Sequence, residues 1–295
     1  MTLNITVAAR WMMVQSSDFR LTNGAGVVSE TSQKQVVLQY EGWSGLVCYT
    51  GVARHGSHDT AVWLDRVLTH EGGQRSPGQV VDRLCREGSV WLRGVPVKHR
   101  RHTFTMITYE SAKPYVYLIS NFQRPGGPQM DTPAEELFVT RVRPRKPRCF
   151  VTGYVPAVTE QQSMHLTDVL ANVPSPTRVR EAVAWVSRDA AGRALGTVGQ
   201  SCVVSHLCPD GSGEAQVFGN LEEAFNPTMI TRGRSIAPYA ELAMTQAGLA
   251  GPQRLVGVTW TSNSAGTDSA MLGAYRGIAD QTGTGWEPIV DGEAD

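Results

Sequence analysis

The sequence predicts an α+β protein, a four-layer αββα sandwich in which two β-sheets lie between two layers of helices. Segments rich in β-branched and aromatic residues alternate with amphipathic segments in the order strands, two helices, strands, two helices, strands. Helices grouped between blocks of strands are typical of sheets stacked face to face with helices outside. These blocks end near residue 220. Residues 1–220 are therefore predicted to form one domain, and residues 221–295 a C-terminal α/β extension of unknown role.

The strands are predicted from short β-rich runs bounded by turn residues. Residues 3–9 and 11–17 are separated by Arg10, which favours an antiparallel pair. Residues 36–40 and 46–50 lie on either side of a glycine-containing turn. The later strands are predicted at 102–109, 116–122, 137–142, 149–155, 201–208 and 215–219.

The helices are predicted from apolar periodicity and from their start signals. Residues 58–69 carry an apolar stripe, and the next helix begins at Ser76-Pro77-Gly78-Gln79, which has the residues of a capping box. The second pair is predicted over 160–171, with Thr159 as N-cap, and over 177–190, after Ser175-Pro176. In the extension we expect a strand over 254–261 and helices over 237–246 and 270–280.

The composition excludes several functional classes. The 27 basic residues balance 27 acidic ones, so no overall field attracts the chain to nucleic acid or to an anionic membrane. No apolar run has the length needed to span a bilayer, and the N-terminus lacks the order of a signal peptide. Five scattered cysteines without a Cys-x-x-Cys pair argue against a disulfide framework and a zinc site. We expect a cytoplasmic protein.

Three residues near the N-terminus have the chemistry of a nucleophilic site. Thr2 follows an initiator methionine that can be removed, which leaves a hydroxyl and a free α-amine on one Cα. A threonine hydroxyl with its own amine as base is a known form of activated nucleophile. Asp18 lies 16 residues after Thr2, and Lys34 lies 16 residues after Asp18. Lys34 could hold a positive charge beside the hydroxyl, and Asp18 could hold Lys34 in place.

The N-terminal region resembles a proteasome β-subunit, or its bacterial two-ring relative, within the N-terminal-nucleophile hydrolases. The resemblance rests on Thr2 before an apolar strand, on the segment Ser17-Asp18-Phe19-Arg20-Leu21-Thr22, and on Lys34, 32 positions after Thr2. The order of strands and helices up to about residue 220 is similar too. The resemblance implies a threonine hydrolase that cleaves peptide or other amide bonds, in a ring-like homo-oligomer, with room for a regulatory partner and with no metal or organic cofactor.

The resemblance also implies a role for each site residue. Thr2 is the nucleophile once Met1 is removed, Lys34 lowers the pKa of the hydroxyl and the amine, and Asp18 orients Lys34. Backbone N–H groups of Thr50 and Gly51 are the expected donors to an oxyanion, and Thr197 is expected to help position the amine. The specificity pocket is expected to involve Leu21, Ser32, Cys48 and Val52.

Two departures from the family pattern leave other functions open. The family places an aspartate where this chain has Ala194, three residues before Thr197, and a serine where it has Tyr154, close to Thr152. Loss of supporting groups usually weakens a site, and a retained Met1 would block the amine. The alternatives are a catalytically silent proteasome-like scaffold or binding module, and an N-terminal-nucleophile amidase for a small molecule.

Other clusters of polar residues are interpreted as structural. His55, His58 and Asp59 could ligate a metal, but a polar loop leading into a helix explains them better. The basic segments 98–102 and 141–148 could contact phosphate. With a balanced overall charge we interpret them as solvated loops or contacts between subunits.

Overall fold

In a computed structural model of the chain, residues 2–23, 26–69, 75–194, 196–220, 228–235 and 257–260 are described. These residues combine four α-helices with two large β-sheets, as expected for the α+β class. The helices are α1 (Thr60–Leu68), α2 (Pro77–Arg93), α3 (Glu160–Asn172) and α4 (Pro176–Arg193). None of these helices has the length and apolar character needed to cross a membrane.

The strands form two large sheets and two small hairpins. In chain order they are β1 (Leu3–Ala8), β2 (Met13–Asp18), β3 (Leu21–Asn23), β4 (Gly26–Ser29), β5 (Gln35–Tyr40), β6 (Trp43–Gly51), β7 (Arg54–His55), β8 (His58–Asp59), β9 (His102–Glu110), β10 (Lys113–Ser120), β11 (Phe138–Val142), β12 (Arg148–Gly153), β13 (Cys202–Leu207), β14 (Gly213–Phe218), β15 (Thr228–Thr231), β16 (Arg234–Ser235) and β17 (Gly257–Trp260). The first sheet has the order β12–β1–β2–β13–β14–β17, and the second has the order β11–β10–β9–β6–β5–β15–β16.

The helix start signals read from the sequence act as expected. Ser76 Oγ accepts from the N–H of Gln79, and Gln79 Oε1 accepts from the N–H of Ser76, which completes the capping box of α2. Thr159 forms the same reciprocal pair with Gln162 at α3. The start of α1 was placed two residues too early. The Asp59 carboxylate caps the helix by accepting from two backbone N–H groups, so residues 58–59 form strand β8 instead.

Each sheet buries its apolar residues against one pair of helices. Leu166 of α3 and Val183 of α4 lie in a cluster with Ile5 and Val14 of the first sheet. A separate cluster joins the helices α1 and α2 to the second sheet; it includes Trp63, Leu84, Val47 and Phe104. Burial of these faces is the main source of stability for the helices, because isolated helices of this length are marginal in water.

The two sheets meet through an apolar cluster and a polar one. Met13 and Val203 of the first sheet contact a group that includes Leu46 and Ile107 of the second. Beside this group lies a buried amide layer, formed by Thr6, Gln15, Gln35, Thr105 and Ser205. Gln35 Nε2 donates to the main-chain oxygen of Gln15 at 3.1 Å, Gln15 Nε2 donates to that of Thr105 at 3.2 Å, and Ser205 Oγ donates to Gln35 Oε1.

The described residues of the C-terminal extension add strands to both sheets. β15 pairs in parallel with β5, and β17 pairs antiparallel with β14. Trp260 on β17 is buried against Gly213, where a Cβ atom would come within 2.4 Å of the indole ring. The strand expected over 254–261 includes β17, and its other residues fall outside the described ones. The helices expected over 237–246 and 270–280 fall outside the described residues, as does Met1.

Candidate active site

Thr2 is held at the start of β1 by the end of β12. Its main-chain oxygen accepts a hydrogen bond from the N–H of Tyr154 at 2.9 Å, and the residue is only 4% exposed. Gly153 has a φ of +88°, and a Cβ atom there would lie 1.8 Å from the Thr2 oxygen. Only glycine can occupy this position without displacing Thr2.

Asp18 is the polar centre of the site. It lies at the end of β2, and its Oδ1 accepts from the N–H of Leu3 at 2.9 Å. Its Oδ2 accepts from the N–H groups of Arg20 at 3.1 Å and Gly199 at 3.2 Å, and lies 3.1 Å from Lys34 Nζ. One buried carboxylate therefore fixes the residue after Thr2, the lysine and the loop that leads to β13.

Lys34 is a buried cation. Its side chain is 0% exposed, and its Nζ donates to the main-chain oxygen of Arg20 at 2.6 Å as well as pairing with Asp18. Burial lowers the pKa of Lys34, and the charge of Asp18 opposes that change. Two of the three residues that the sequence spacing singled out are therefore in contact, because Asp18 pairs with Lys34, and Asp18 also accepts from the N–H of Leu3, the residue after Thr2.

Thr50 and Gly51 end strand β6 close to Thr2. Thr50 and Thr2 both lie against Gly153. A Cβ atom added to Gly153 would be 3.1 Å from Thr50 Cγ2 and 1.8 Å from the main-chain oxygen of Thr2. Gly51 has a φ of +108°, and a Cβ atom there would lie 2.1 Å from the oxygen of Arg101. The backbone at the end of β6 can take this path only with glycine.

Asn4 joins the strand of Thr2 to the strand of Thr50, a role that the sequence analysis missed. Its Nδ2 atom donates to the main-chain oxygen of Tyr49 at 3.1 Å, and the residue is 1% exposed. The bond crosses from the first sheet to the second, two residues after Thr2 and one before Thr50. The available signal was a polar residue within a run of apolar ones.

Thr197 and Ala194 lie in the turn that ends α4. Thr197 Oγ1 donates to the main-chain oxygen of Ala194 at 2.6 Å. The hydroxyl proton of Thr197 is therefore bonded to a carbonyl group at the C-terminal end of α4. Ala194 is buried in the cluster between α4 and the first sheet. The contact from this turn to Asp18 comes from the N–H of Gly199, which the sequence analysis did not single out.

Arg20 connects three segments around the site. Its Nε donates to Glu30 Oε1 at 2.9 Å, its Nη1 donates to the oxygen of Gly196 at 2.8 Å, and its own main-chain oxygen accepts from Lys34. The resemblance contained this arginine but gave it no role. Its contacts hold the segment after β4 and the turn after α4 next to Asp18.

The residues expected to form a specificity pocket differ in exposure. Leu21 and Val52 are nearly buried, whereas Ser32 is partly exposed and its N–H donates to the oxygen of Phe19 at 3.0 Å. Cys48 is completely buried and is paired with Gln35 and Thr105 on the neighbouring strands. Burial raises the pKa of its thiol. In this conformation, Cys48 is not accessible to a substrate.

The histidines near β6 belong to an aromatic cluster. The His58 ring stacks on Trp91 at 3.9 Å, and the fully buried His102 ring lies 4.4 Å from that of Phe104. Within the described part of the chain neither ring nitrogen of His102 has a hydrogen-bond partner, and burial lowers its pKa to about 3. The described residues contain no group of three or more potential metal-ligating side chains.

No known protein-family model matches this chain, and a search of curated proteins finds no significant match. The assignment of a function therefore depends on the geometry of the site.

Proposed function

We propose that this protein is a threonine-type N-terminal-nucleophile hydrolase with a proteasome β-subunit-like αββα sandwich, and that it cleaves peptide or other amide bonds after removal of Met1. The observation that supports the proposal best is the buried Asp18 carboxylate, which binds Lys34 Nζ and the N–H next to Thr2. A buried ion pair is weak evidence for stability alone. A buried lysine whose pKa is lowered and which has a specific charged partner is more typical of a catalytic site.

In the proposed reaction, Thr2 Oγ attacks the substrate carbonyl carbon while its proton passes to the Thr2 α-amine. The C–O bond forms as the carbonyl π electrons move to oxygen, and the Thr50 and Gly51 N–H groups stabilise the resulting oxyanion. The C–N bond then breaks, and the ammonium group returns its proton to the leaving amine, which leaves an ester on Thr2. Water, deprotonated by the same amine, hydrolyses the ester and restores the hydroxyl.

Lys34 acts electrostatically in this proposal. A positive charge beside the hydroxyl favours the developing alkoxide, and the effect of each such contact is strong where water is excluded. Asp18 is a positioning residue, because it bonds Lys34 and the main chain after Thr2 rather than the reacting atoms. No metal or organic cofactor takes part.

The test is the intact mass of the purified protein before and after exposure to a peptide epoxyketone, which reacts with both the hydroxyl and the free amine of a terminal threonine. We expect loss of Met1 and a single adduct, together with cleavage of amide substrates. Thr2→Ala should give neither adduct nor cleavage, and Thr177→Ala, at an exposed position in the first turn of α4, is the matched control that should keep both. Retained activity in Thr2→Ala would refute the proposal.

A second candidate is a proteasome-like scaffold or binding module without turnover. It is favoured by Ala194, whose position at the buried end of α4 supplies no carboxylate where the family has one. Retained Met1 with no adduct would support it. The third candidate, a small-molecule amidase, predicts loss of Met1 and activity on small amides but not on peptides. For the first candidate we further propose a cytoplasmic location and a ring-like homo-oligomer.

A further inference from the structure

The segment that joins β11 to β12 is strongly basic. Residues 141–148, the basic segment, carry five exposed cations within eight positions, namely Arg141, Arg143, Arg145, Lys146 and Arg148. Arg141 pairs with Glu110. The other four make no hydrogen bond or ion pair with a residue that the structure describes. In a chain whose 27 basic and 27 acidic residues balance, the basic segment produces a local positive field.

Protection of the sheet edges does not account for this charge. Charged residues on edge strands commonly prevent two sheets from pairing, and β11 and β12 are edge strands of the two large sheets. However, Arg143, Arg145 and Lys146 lie between the two strands rather than on either one. Their charges are therefore available to an anionic partner.

The last residues of the sequence have the complementary charge. Residues 287–295, the acidic segment, contain Glu287, Asp291, Glu293 and Asp295, and no lysine or arginine follows Arg276. A surface rich in arginine suits such a segment, because a guanidinium group can donate two parallel hydrogen bonds to one carboxylate.

The chain leaves the first sheet at the same end of the strands as the basic segment. One row of directly paired residues crosses this sheet from β17 to β12; its members are Trp260, Gly213, Leu207, Met13, Ala8 and Arg148. At about 4.8 Å per strand, the row spans roughly 24 Å. The 26 residues 261–286 lie between Trp260 and the acidic segment (286 − 260 = 26), and they exceed that distance even at the rise of a helix, about 1.5 Å per residue. The acidic segment can therefore reach the basic one.

We propose that the acidic segment 287–295 binds the basic segment 141–148 of the same chain. A single exposed ion pair contributes little, whereas several pairs in a network contribute more. Attachment to the same chain raises the effective concentration of the acidic segment, so even a weak contact is populated. The contact holds the acidic segment at the end of β12 that is farther from Thr2, since Gly153, at the other end, lies against Thr2. This inference stands independently of the proposed hydrolase activity, because it uses none of the residues around Thr2.

The test is carbodiimide cross-linking of the full chain, followed by mass spectrometry of its peptides. This reagent joins a carboxylate to a lysine amine only where the two groups are in contact. Lys146 belongs to the basic segment, whereas Lys98 is also exposed but lies shortly before β9, at the end of the strands that holds Gly51. We expect the acidic segment to be joined to Lys146 at least about tenfold more often than to Lys98.

Removal of the basic charges tests the cause of the contact. The variant Arg143→Gln/Arg145→Gln/Arg148→Gln should lower cross-linking to Lys146 about tenfold, because three of the opposing charges are lost. An increase in NaCl from about 0.1 M to about 1 M should also lower it, because the Debye length falls from about 10 Å to about 3 Å. The matched control makes the same change in net charge at exposed positions of α1 and α2 and should leave the yield unchanged; it is Arg66→Gln/Arg86→Gln/Arg93→Gln.

An isotope mixture identifies which chain supplies the acidic segment. Equal amounts of nitrogen-15-labelled and unlabelled protein are unfolded in urea, refolded together and cross-linked. Cross-linked peptides whose two halves carry the same label support binding within one chain. Cross-links that join labelled to unlabelled peptides, equal yields at Lys146 and Lys98, or a yield that does not respond to loss of the three arginines would each overturn the inference.

Discussion

Replacing Asp18 with asparagine leaves the buried Lys34 ammonium without the carboxylate that lies 3.1 Å from its Nζ atom. The replacement has almost the same size, but it offers one acceptor oxygen and an NH₂ group. Asp18 also accepts from three backbone N–H groups, so the variant loses a charge and at least one buried hydrogen bond. Both losses fall where water cannot compensate for them.

The expected loss is large compared with the stability of a whole domain. Removal of one partner from a buried pair costs about 3–5 kcal/mol, against a total unfolding free energy of roughly 5–15 kcal/mol. Lys34 sets the pH dependence of this loss. Without Asp18, burial lowers the pKa of Lys34 further below its unfolded value. The unfolded state then binds more protons than the folded one, so the stability of the variant should rise with pH.

The assay is urea unfolding of Asp18→Asn, Lys34→Met and the double variant. The double variant removes both charges, so it should be more stable than the sum of the two single losses predicts, by about 0.5–3 kcal/mol. Glu30→Gln is the matched control, since Glu30 pairs with Arg20 at the surface and its loss should cost no more than about 1 kcal/mol. If Asp18→Asn costs no more than this control, the reasoning is wrong.

Three further predictions concern the surroundings of the site. Asn4→Asp removes the N–H donor that links β1 to β6; we expect a loss of about 1–3 kcal/mol in unfolding free energy, measured in urea, and slower adduct formation at Thr2. Gly153→Ala should destabilise the fold by more than about 1 kcal/mol and abolish adduct formation, because its Cβ would strike the Thr2 oxygen. His102→Phe should reduce the loss of unfolding free energy as the pH falls from 6.5 to 4. In the wild type, the folded protein keeps His102 neutral because its pKa is about 3, whereas the unfolded chain binds a proton at this histidine.

Each of these predictions has a control or a contrary outcome. Asn121→Asp tests whether loss of a buried amide at another position slows adduct formation at Thr2 as much as Asn4→Asp does. If the two rates are equal, the Asn4 bond has no special role. Gly78→Ala, in the first turn of α2, meets only Ser76 Oγ at 3.8 Å and should stabilise the helix by up to about 1 kcal/mol. His102 alone should contribute up to about 1.4 kcal/mol per pH unit to the slope of the wild type over that range. Equal slopes in the wild type and His102→Phe would contradict the assigned cause.

Local signals in the sequence were sufficient for the starts of α2, α3 and α4 and for most of the described strands. Ser76 and Thr159 cap helices because the reciprocal bonds involve residues three positions apart, a spacing that can be read directly. The contact between Asp18 and Lys34 could be predicted from the resemblance, and the spacing of the two residues agrees with it. The sequence analysis did not identify Asp59 as the N-cap of α1, because it began this helix at His58. In the structure, His58 and Asp59 instead form strand β8 of the β7–β8 hairpin.

The remaining site contacts depend on residues far apart in the chain. Asn4 reaches Tyr49, Gly199 reaches Asp18, and Arg20 reaches Gly196, and in none of these pairs does one partner's position reveal the other. Cys48 illustrates a further limit. Strand periodicity places it on one of two faces, but only the stacking of the second sheet on the first decides that this face is buried.

The buried amide layer between the sheets determines how the two halves of the site are aligned. Apolar side chains tolerate sliding, since one methyl group can replace another as a neighbour. A slide of two residues, about 7 Å along a strand, would instead separate Gln35 from Gln15 and from Ser205, and each orphaned amide costs about 1–3 kcal/mol. Asp18 belongs to the first sheet and Thr2 directly precedes its strand β1, whereas Thr50 and Gly51 belong to the second sheet. Gln15 and Gln35 thus fix the position of one sheet relative to the other. Substitution of either glutamine would misalign Thr2 with Thr50 and Gly51, although neither glutamine contacts Thr2.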